Sequence, residues 1–118
     1  MNTISRQELQ QLIDADSVVV LEALPPMYFE AGHLPGAKNL PLDDIETLAP
    51  VLVPDRTTPV VTYCANLACQ NSKIAASRLT ALGYTDVRAY EGGKEDWAAA
   101  GLPVQVTSDE IDAKAGSR

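Results

Sequence analysis

The stretch Pro59-Val60-Val61-Thr62-Tyr63 constrains the fold more than any other part of this chain. It is β-branched and aromatic, with no alternation between apolar and polar positions, the pattern of a strand buried on both faces. Strands of that kind belong to parallel sheets covered by helices. Ser17-Val18-Val19-Val20-Leu21 is a second such run, and Asp86-Val87-Arg88-Ala89-Tyr90 reads as a third strand. The links between them are long enough for parallel crossovers. The expected class is therefore α/β, a small parallel sheet flanked by helices.

The intervening segments read as helices and turns. Ser5 with Glu8 three residues on forms a capping-box pattern, and Leu9, Leu12 and Ile13 give the helix that follows an apolar face. Pro25-Pro26 ends the first strand, and 27–31 suits one helical turn. Gly32-His33-Leu34-Pro35-Gly36 is a turn by composition. Asp43 is positioned to cap a short helix holding Ile45 and Leu48, while Pro50 and Pro54 bracket a loop or brief helix. Ser72 opens a helix that Gly83 stops in the left-handed conformation. Gly92-Gly93 leads into a last helix with Trp97, ended by Gly101 and Pro103. With 118 residues, one domain is expected over 1–106, followed by a polar tail over 107–118.

Charge and composition narrow the function. Sixteen Asp and Glu against nine Lys and Arg give a net charge of −7, with no basic footprint for nucleic acid or for an anionic membrane surface. The longest aliphatic run, 18–21, is far too short to span a bilayer. The start, MNTISRQELQQ, lacks the apolar core of a signal peptide, so a cytoplasmic address is expected. The cysteines, Cys64 and Cys69, are too few for a disulfide framework, and without nearby histidine they make a poor metal site. A metal is therefore not expected.

Cys64 stands where an open parallel sheet puts its chemistry, at the carboxyl end of a strand and ahead of a helix. The loop reads Cys64-Ala65-Asn66-Leu67-Ala68-Cys69-Gln70-Asn71, and Ser72 follows. Unpaired amides and the positive end of the helix dipole favour a thiolate there, and the thiolate is the nucleophile. Phosphoryl transfer at such a loop needs an arginine to neutralise the equatorial oxygens, and Gln70 and Asn71 carry no charge.

Four segments resemble the single-domain rhodaneses, a sulfurtransferase family. Phe29-Glu30-Ala31-Gly32-His33-Leu34-Pro35-Gly36-Ala37 is similar to its Gly-His-Ile/Leu-Pro-Gly-Ala motif, and Val60-Val61-Thr62-Tyr63-Cys64 to the strand ending in its catalytic cysteine. Ser72-Lys73-Ile74-Ala75-Ala76 resembles the start of the helix after that loop. Gly92-Gly93-Lys94-Glu95-Asp96-Trp97 with Gly101-Leu102-Pro103-Val104 resembles the family's ending. The resemblance implies a rhodanese-like fold and a sulfurtransferase that needs neither metal nor organic cofactor. Cys64 would take sulfane sulfur from thiosulfate, a polysulfide or a persulfide and pass it to a thiol or cyanide. Ala65 to Asn71 would cradle the persulfide with their amides. Donor and acceptor would be small molecules or protein persulfides. The oligomeric state is left open.

Three departures from the family pattern matter. The first strand ends Glu22-Ala23-Leu24 where the family has Asp-x-Arg, the loop is longer than usual, and no cation lies between Ala65 and Asn71. Only Lys73, just past the loop, offers a charge to dianionic thiosulfate, so a persulfide or polysulfide donor fits better. Glu22 is expected at the edge of the site, either bonding loop amides or solvated at a strand end. Asn71 or Ser72 is expected to cap the helix. His33 is expected to fix the turn before Pro35 and Trp97 to pack as core or lid. Tyr63 should face away from Cys64. Cys69 is open to two readings, a packing residue or a thiol that resolves the Cys64 persulfide. The second reading also allows a non-catalytic module, in which the Cys64–Cys69 pair reports redox or persulfide state to a partner.

Overall fold

The computed structural model describes residues 2–106. The expected tail over 107–118 lies outside the described residues. Five strands form one wholly parallel sheet: β1 (Asn2–Thr3), β2 (Val19–Glu22), β3 (Lys38–Asn39), β4 (Val60–Tyr63) and β5 (Val87–Tyr90). Their spatial order is β1-β5-β4-β2-β3, so β4 is central and carries Cys64 at its carboxyl end. β1 and β3, two residues each, are edge strands that sequence periodicity does not resolve.

Helices α1 (Arg6–Asp14), α2 (Pro26–Ala31), α3 (Ile45–Leu52), α4 (Asn71–Ala81) and α5 (Gly93–Ala99) cover the sheet. Successive side chains of β4 alternate between two cores. Val60 packs with Leu21, Ala49, Ala75 and Leu79, the side of α3 and α4. Val61 and Tyr63 pack with Leu9, Val20, Leu34 and Trp97, the side of α1 and α5. Tyr63 thus faces away from Cys64, as expected. Leu9 of α1 is fully buried, with Leu12 and Ile13 packed beside it.

The caps differ in detail from the sequence patterns. Ser5 Oγ accepts the Glu8 N–H at 3.1 Å, but the Glu8 carboxylate takes the Ser5 hydroxyl proton rather than the Ser5 N–H. Half of the capping box therefore forms. Asp43 does not cap a helix: it lies within a 3₁₀ turn, Leu42–Asp44, that runs into α3. Pro50 does not bound a loop either, but stands inside α3. It lacks an N–H for the helix ladder, yet Ile45 and Ala49 are completely buried and hold the segment helical. Gly83 behaves as expected. Its φ is +101°, and the Tyr84 N–H returns to the Leu79 carbonyl to close the end of α4.

Candidate active site at the end of β4

The Cys64 loop is held from outside by the start of α5. The Lys94 and Glu95 amides donate to the Cys64 and Ala65 carbonyls at 3.0 and 2.9 Å. This close approach explains the second glycine of the Gly-Gly pair. At Gly93 φ is +65°, and a Cβ would lie 2.4 Å from the Cys64 oxygen. Only glycine lets α5 seat against the loop.

Within the loop Asn66 makes the turn. Its side-chain oxygen accepts the Ala68 N–H and its carbonyl accepts the Cys69 N–H, both at 3.1 Å. The chain reverses and brings Cys69 back to Cys64, whose Sγ lies 3.5 Å from the Cys69 carbonyl oxygen. Leu67, at the tip, is exposed. Gln70 holds the cap position of α4 without a side-chain cap bond, and its carbonyl accepts the Ile74 N–H. The capping expected of Asn71 or Ser72 does not occur. Asn71 is already inside the helix, and its amide donates instead to the Ala23 carbonyl at 2.9 Å, tying α4 to the end of β2. Ser72 is buried, and its carbonyl accepts the Thr62 hydroxyl proton at 2.8 Å.

Both cysteines are free thiols, Cys64 buried and Cys69 partly exposed. Each acts on the other's ionisation. Burial and the Cys69 thiol push Cys64 up, against the Ser72 N–H and hydroxyl, which favour its thiolate. The Ser72 hydroxyl is buried and makes no hydrogen bond. Burial also opposes charge on Cys69, but hydrogen bonds from the Cys64 thiol and from the Ala65 and Asn71 amides outweigh it and lower its pKa. The thiolate expected on Cys64 is therefore not what the loop favours: burial raises that thiol, and the lowering falls on Cys69 instead.

Glu22 is neither a partner of loop amides nor a solvated strand end. It is fully buried, and its neighbour across the ladder is Tyr63. The Tyr63 hydroxyl donates to Oε1 at 2.7 Å and itself accepts the Leu34 N–H at 3.1 Å. Lys94 Nζ stands 3.0 Å from Oε2, an ion pair rather than an aligned hydrogen bond. Lys94 also donates to the Tyr28 carbonyl at 2.6 Å. Burial raises the Glu22 pKa, while Tyr63 and Lys94 work to lower it. This network occupies the α1 and α5 side of the sheet, behind Cys64. Sequence reasoning missed Lys94. The signal was there, because an acid at the end of β2 without the family's arginine needs another cation.

Lys73 pairs with Glu91 at 3.1 Å. His33 is buried, stacks on Phe29 at 3.8 Å between ring centroids and donates from Nδ1 to the Phe29 carbonyl at 2.8 Å, a structural role as expected. Trp97 is core, its Nε1 donating to the Pro103 carbonyl at 2.8 Å. Beside Asn71 opens a cleft of ≈ 410 Å³, lined among others by Pro25, Pro41, Asp43 and Asp44.

Residues 5–100 match the family profile described as a rhodanese-like domain. The chain belongs to the rhodanese-like family. A thiosulfate sulfurtransferase GlpE from Pseudoalteromonas translucida is 30% identical over 97 residues, covering 82% of this rhodanese-like chain and 89% of that protein. An HTH-type transcriptional regulator, Rv0324, from Mycobacterium tuberculosis is 31% identical over 103 residues, which are 87% of this chain but only 44% of the regulator. The chain thus spans less than half of that relative. The solved structure described as rhodanese with anions from E. coli superposes with a TM-score of 0.64 and 28% identity, over 75% of this chain and 98% of that one. Among the described residues no helix is long and apolar enough to cross a membrane.

Proposed function

We propose that this rhodanese-like protein is a sulfurtransferase that carries sulfane sulfur as a persulfide on Cys64. The observation that carries this reading is the setting of the Cys64 sulfur. It is buried at the end of β4, where the Ser72 N–H and hydroxyl favour its thiolate, and that buried hydroxyl makes no hydrogen bond. A buried hydroxyl without another partner is costly unless a second group uses it. A sulfur anion on Cys64 is such a group.

Cys64 attacks the outer sulfur of the donor as its thiolate, having released its proton to solvent. The donor's remaining fragment departs with the bonding pair, as a thiolate from a persulfide or as sulfite from thiosulfate. The new persulfide keeps its negative charge near Ser72 until an acceptor thiol or cyanide removes the sulfur.

Charge supports a donor less anionic than thiosulfate. Ala65 to Asn71 contain no cation. Lys73 and Lys94 are each engaged by a carboxylate, and the adjoining cleft presents Asp43 and Asp44. A persulfide or polysulfide, free or protein-borne, suits this site. The net charge of −7 argues against nucleic acid and membranes as partners, and two free thiols in one loop suit the reducing cytoplasm. Turnover with glutathione persulfide, polysulfide and thiosulfate tests the proposal. Wild type should show its highest kcat/KM with a persulfide or polysulfide, and Cys64→Ser should be inactive with all three. Substantial turnover by pure Cys64→Ser would remove Cys64 from the mechanism, and a preference for thiosulfate would overturn the charge argument.

A further inference from the structure

The loop folds its second cysteine back beside Cys64. An outer persulfide sulfur on Cys64 would be expected to draw on the loop's N–H groups, yet those of Ala65 and Asn71 act on the Cys69 thiol. Three features hold Cys69 there. The Asn66 turn folds the loop back through the Ala68 and Cys69 amides. The Cys69 carbonyl lies 3.5 Å from Cys64 Sγ. The two thiols are close enough for each to act on the other's ionisation. A residue serving only to pack the loop would have no reason to sit where the loop amides favour its thiolate.

We propose that Cys69 is a resolving thiol, which attacks the Cys64 persulfide, expels its outer sulfur as sulfide and closes a Cys64–Cys69 disulfide. The inference rests on Cys64 carrying the persulfide and adds a reductive branch to sulfur transfer. The step is balanced. The Cys69 sulfur forms a bond to Cys64 Sγ, and the bond between Sγ and the outer sulfur breaks with its electron pair going to the outer sulfur. The Cys69 proton leaves on that sulfur as hydrosulfide. The sulfane sulfur is reduced by two electrons, and the two thiols are oxidised to the disulfide.

The lowered pKa of Cys69 makes thiolate available for this attack. Burial assigns the reset as well. Cys69 is partly exposed and Cys64 buried, so a low-molecular-weight thiol reaches the disulfide at Cys69. It forms a mixed disulfide there and frees Cys64, and a second thiol equivalent releases Cys69. Over the cycle, two thiols and one sulfane sulfur become one disulfide and one sulfide.

The test loads the full chain with a limiting amount of inorganic polysulfide, without added thiol, and follows it by intact mass, peptide mapping and sulfide release. Wild type should release sulfide in proportion to the sulfur supplied, lose the mass of two hydrogens and contain a Cys64–Cys69 crosslink that a monothiol reductant opens. Cys69→Ser should instead hold one added sulfur on Cys64, with sulfide release falling to the background of Cys64→Ser. Cys69→Ala serves as a second variant, and thermal melts of both check that the loop still folds. If wild type and both Cys69 variants hold the added sulfur equally, with no crosslink, the resolving role is overturned while the Cys64 persulfide stands. If Cys64→Ser takes up sulfur on Cys69 as fast as wild type is oxidised, the roles are reversed and the proposal fails. If neither wild type nor the Cys69 variants take up sulfur, the Cys64 persulfide itself is refuted and the inference falls with it.

Discussion

Two polar clusters share the carboxyl end of the central sheet, one on each face, and they are built to opposite ends. Behind the sheet, Glu22, Tyr63 and Lys94 close on one another and on the backbone at Leu34 and Tyr28. In front, Cys64 and Cys69 remain free thiols beside a buried Ser72 hydroxyl that makes no hydrogen bond. The first cluster carries a fully buried carboxylate, the costlier group to bury, yet it reads as structure because its partners are fixed. The second holds donors directed at sulfur atoms that can gain charge or a further sulfur. The contrast shows why buried charge alone is a poor guide to function: the chemistry lies where hydrogen-bonding capacity is left over.

The comparison makes Lys94→Met the most damaging change on the structural face. It leaves Glu22 buried and unpaired, at a cost of about 3 kcal/mol near neutral pH. The pH dependence has a definite sign. Because the Glu22 pKa is raised above its ordinary 4.5 in the folded protein, folding takes up a proton above that pH, and stability from this group is lost as pH rises. Removing Lys94 raises the folded pKa further. The deficit of Lys94→Met against wild type, read from urea unfolding, should therefore be largest at neutral and higher pH and shrink toward pH 4.5. A deficit independent of pH would mean that Lys94 acts by packing or through Tyr28 rather than through charge.

Gly93→Ala strikes the seam between the clusters, since Gly93 abuts the Cys64 carbonyl and precedes Lys94. The positive φ alone costs about 1–3 kcal/mol, and the added Cβ must displace the Cys64 backbone. Stability and sulfur-transfer rate should both fall, as melts and turnover assays will report; loss of stability with undiminished turnover would separate the seam from the active loop. The smallest effect is expected on the reactive face. Gln70→Arg puts a cation at the start of α4 and should raise kcat/KM for thiosulfate a few-fold over that for a persulfide. No change in that ratio would show that the loop's charge does not set donor preference.

Much of this was legible in the sequence because it rests on short-range patterns. The apolar runs gave the three longer strands, and the strand–cysteine–helix order located Cys64. The edge strands β1 and β3 were not legible, since two residues carry no periodicity. Pro50 misled because local chemistry opposes a helix that burial of Ile45 and Ala49 maintains. Glu22 misled for a similar reason: a carboxylate ending a strand reads as solvated until Tyr63, the neighbouring strand, and Lys94, far along the chain, are brought to it. The spacing of the cysteines was visible, but the inward turn of Cys69 depends on Asn66 and on amides of Ala65 and Asn71 that no pattern displays.

The central claim is that sulfur enters on the buried cysteine of the reactive face. Rapid-quench alkylation of wild type, milliseconds after mixing with polysulfide, followed by fragmentation of the peptide carrying both cysteines, tests it directly. The account predicts the extra sulfur on Cys64 at the earliest times, declining as the Cys64–Cys69 disulfide and sulfide grow together. Extra sulfur appearing first on Cys69, or disulfide forming with no persulfide on Cys64 before it, would contradict it.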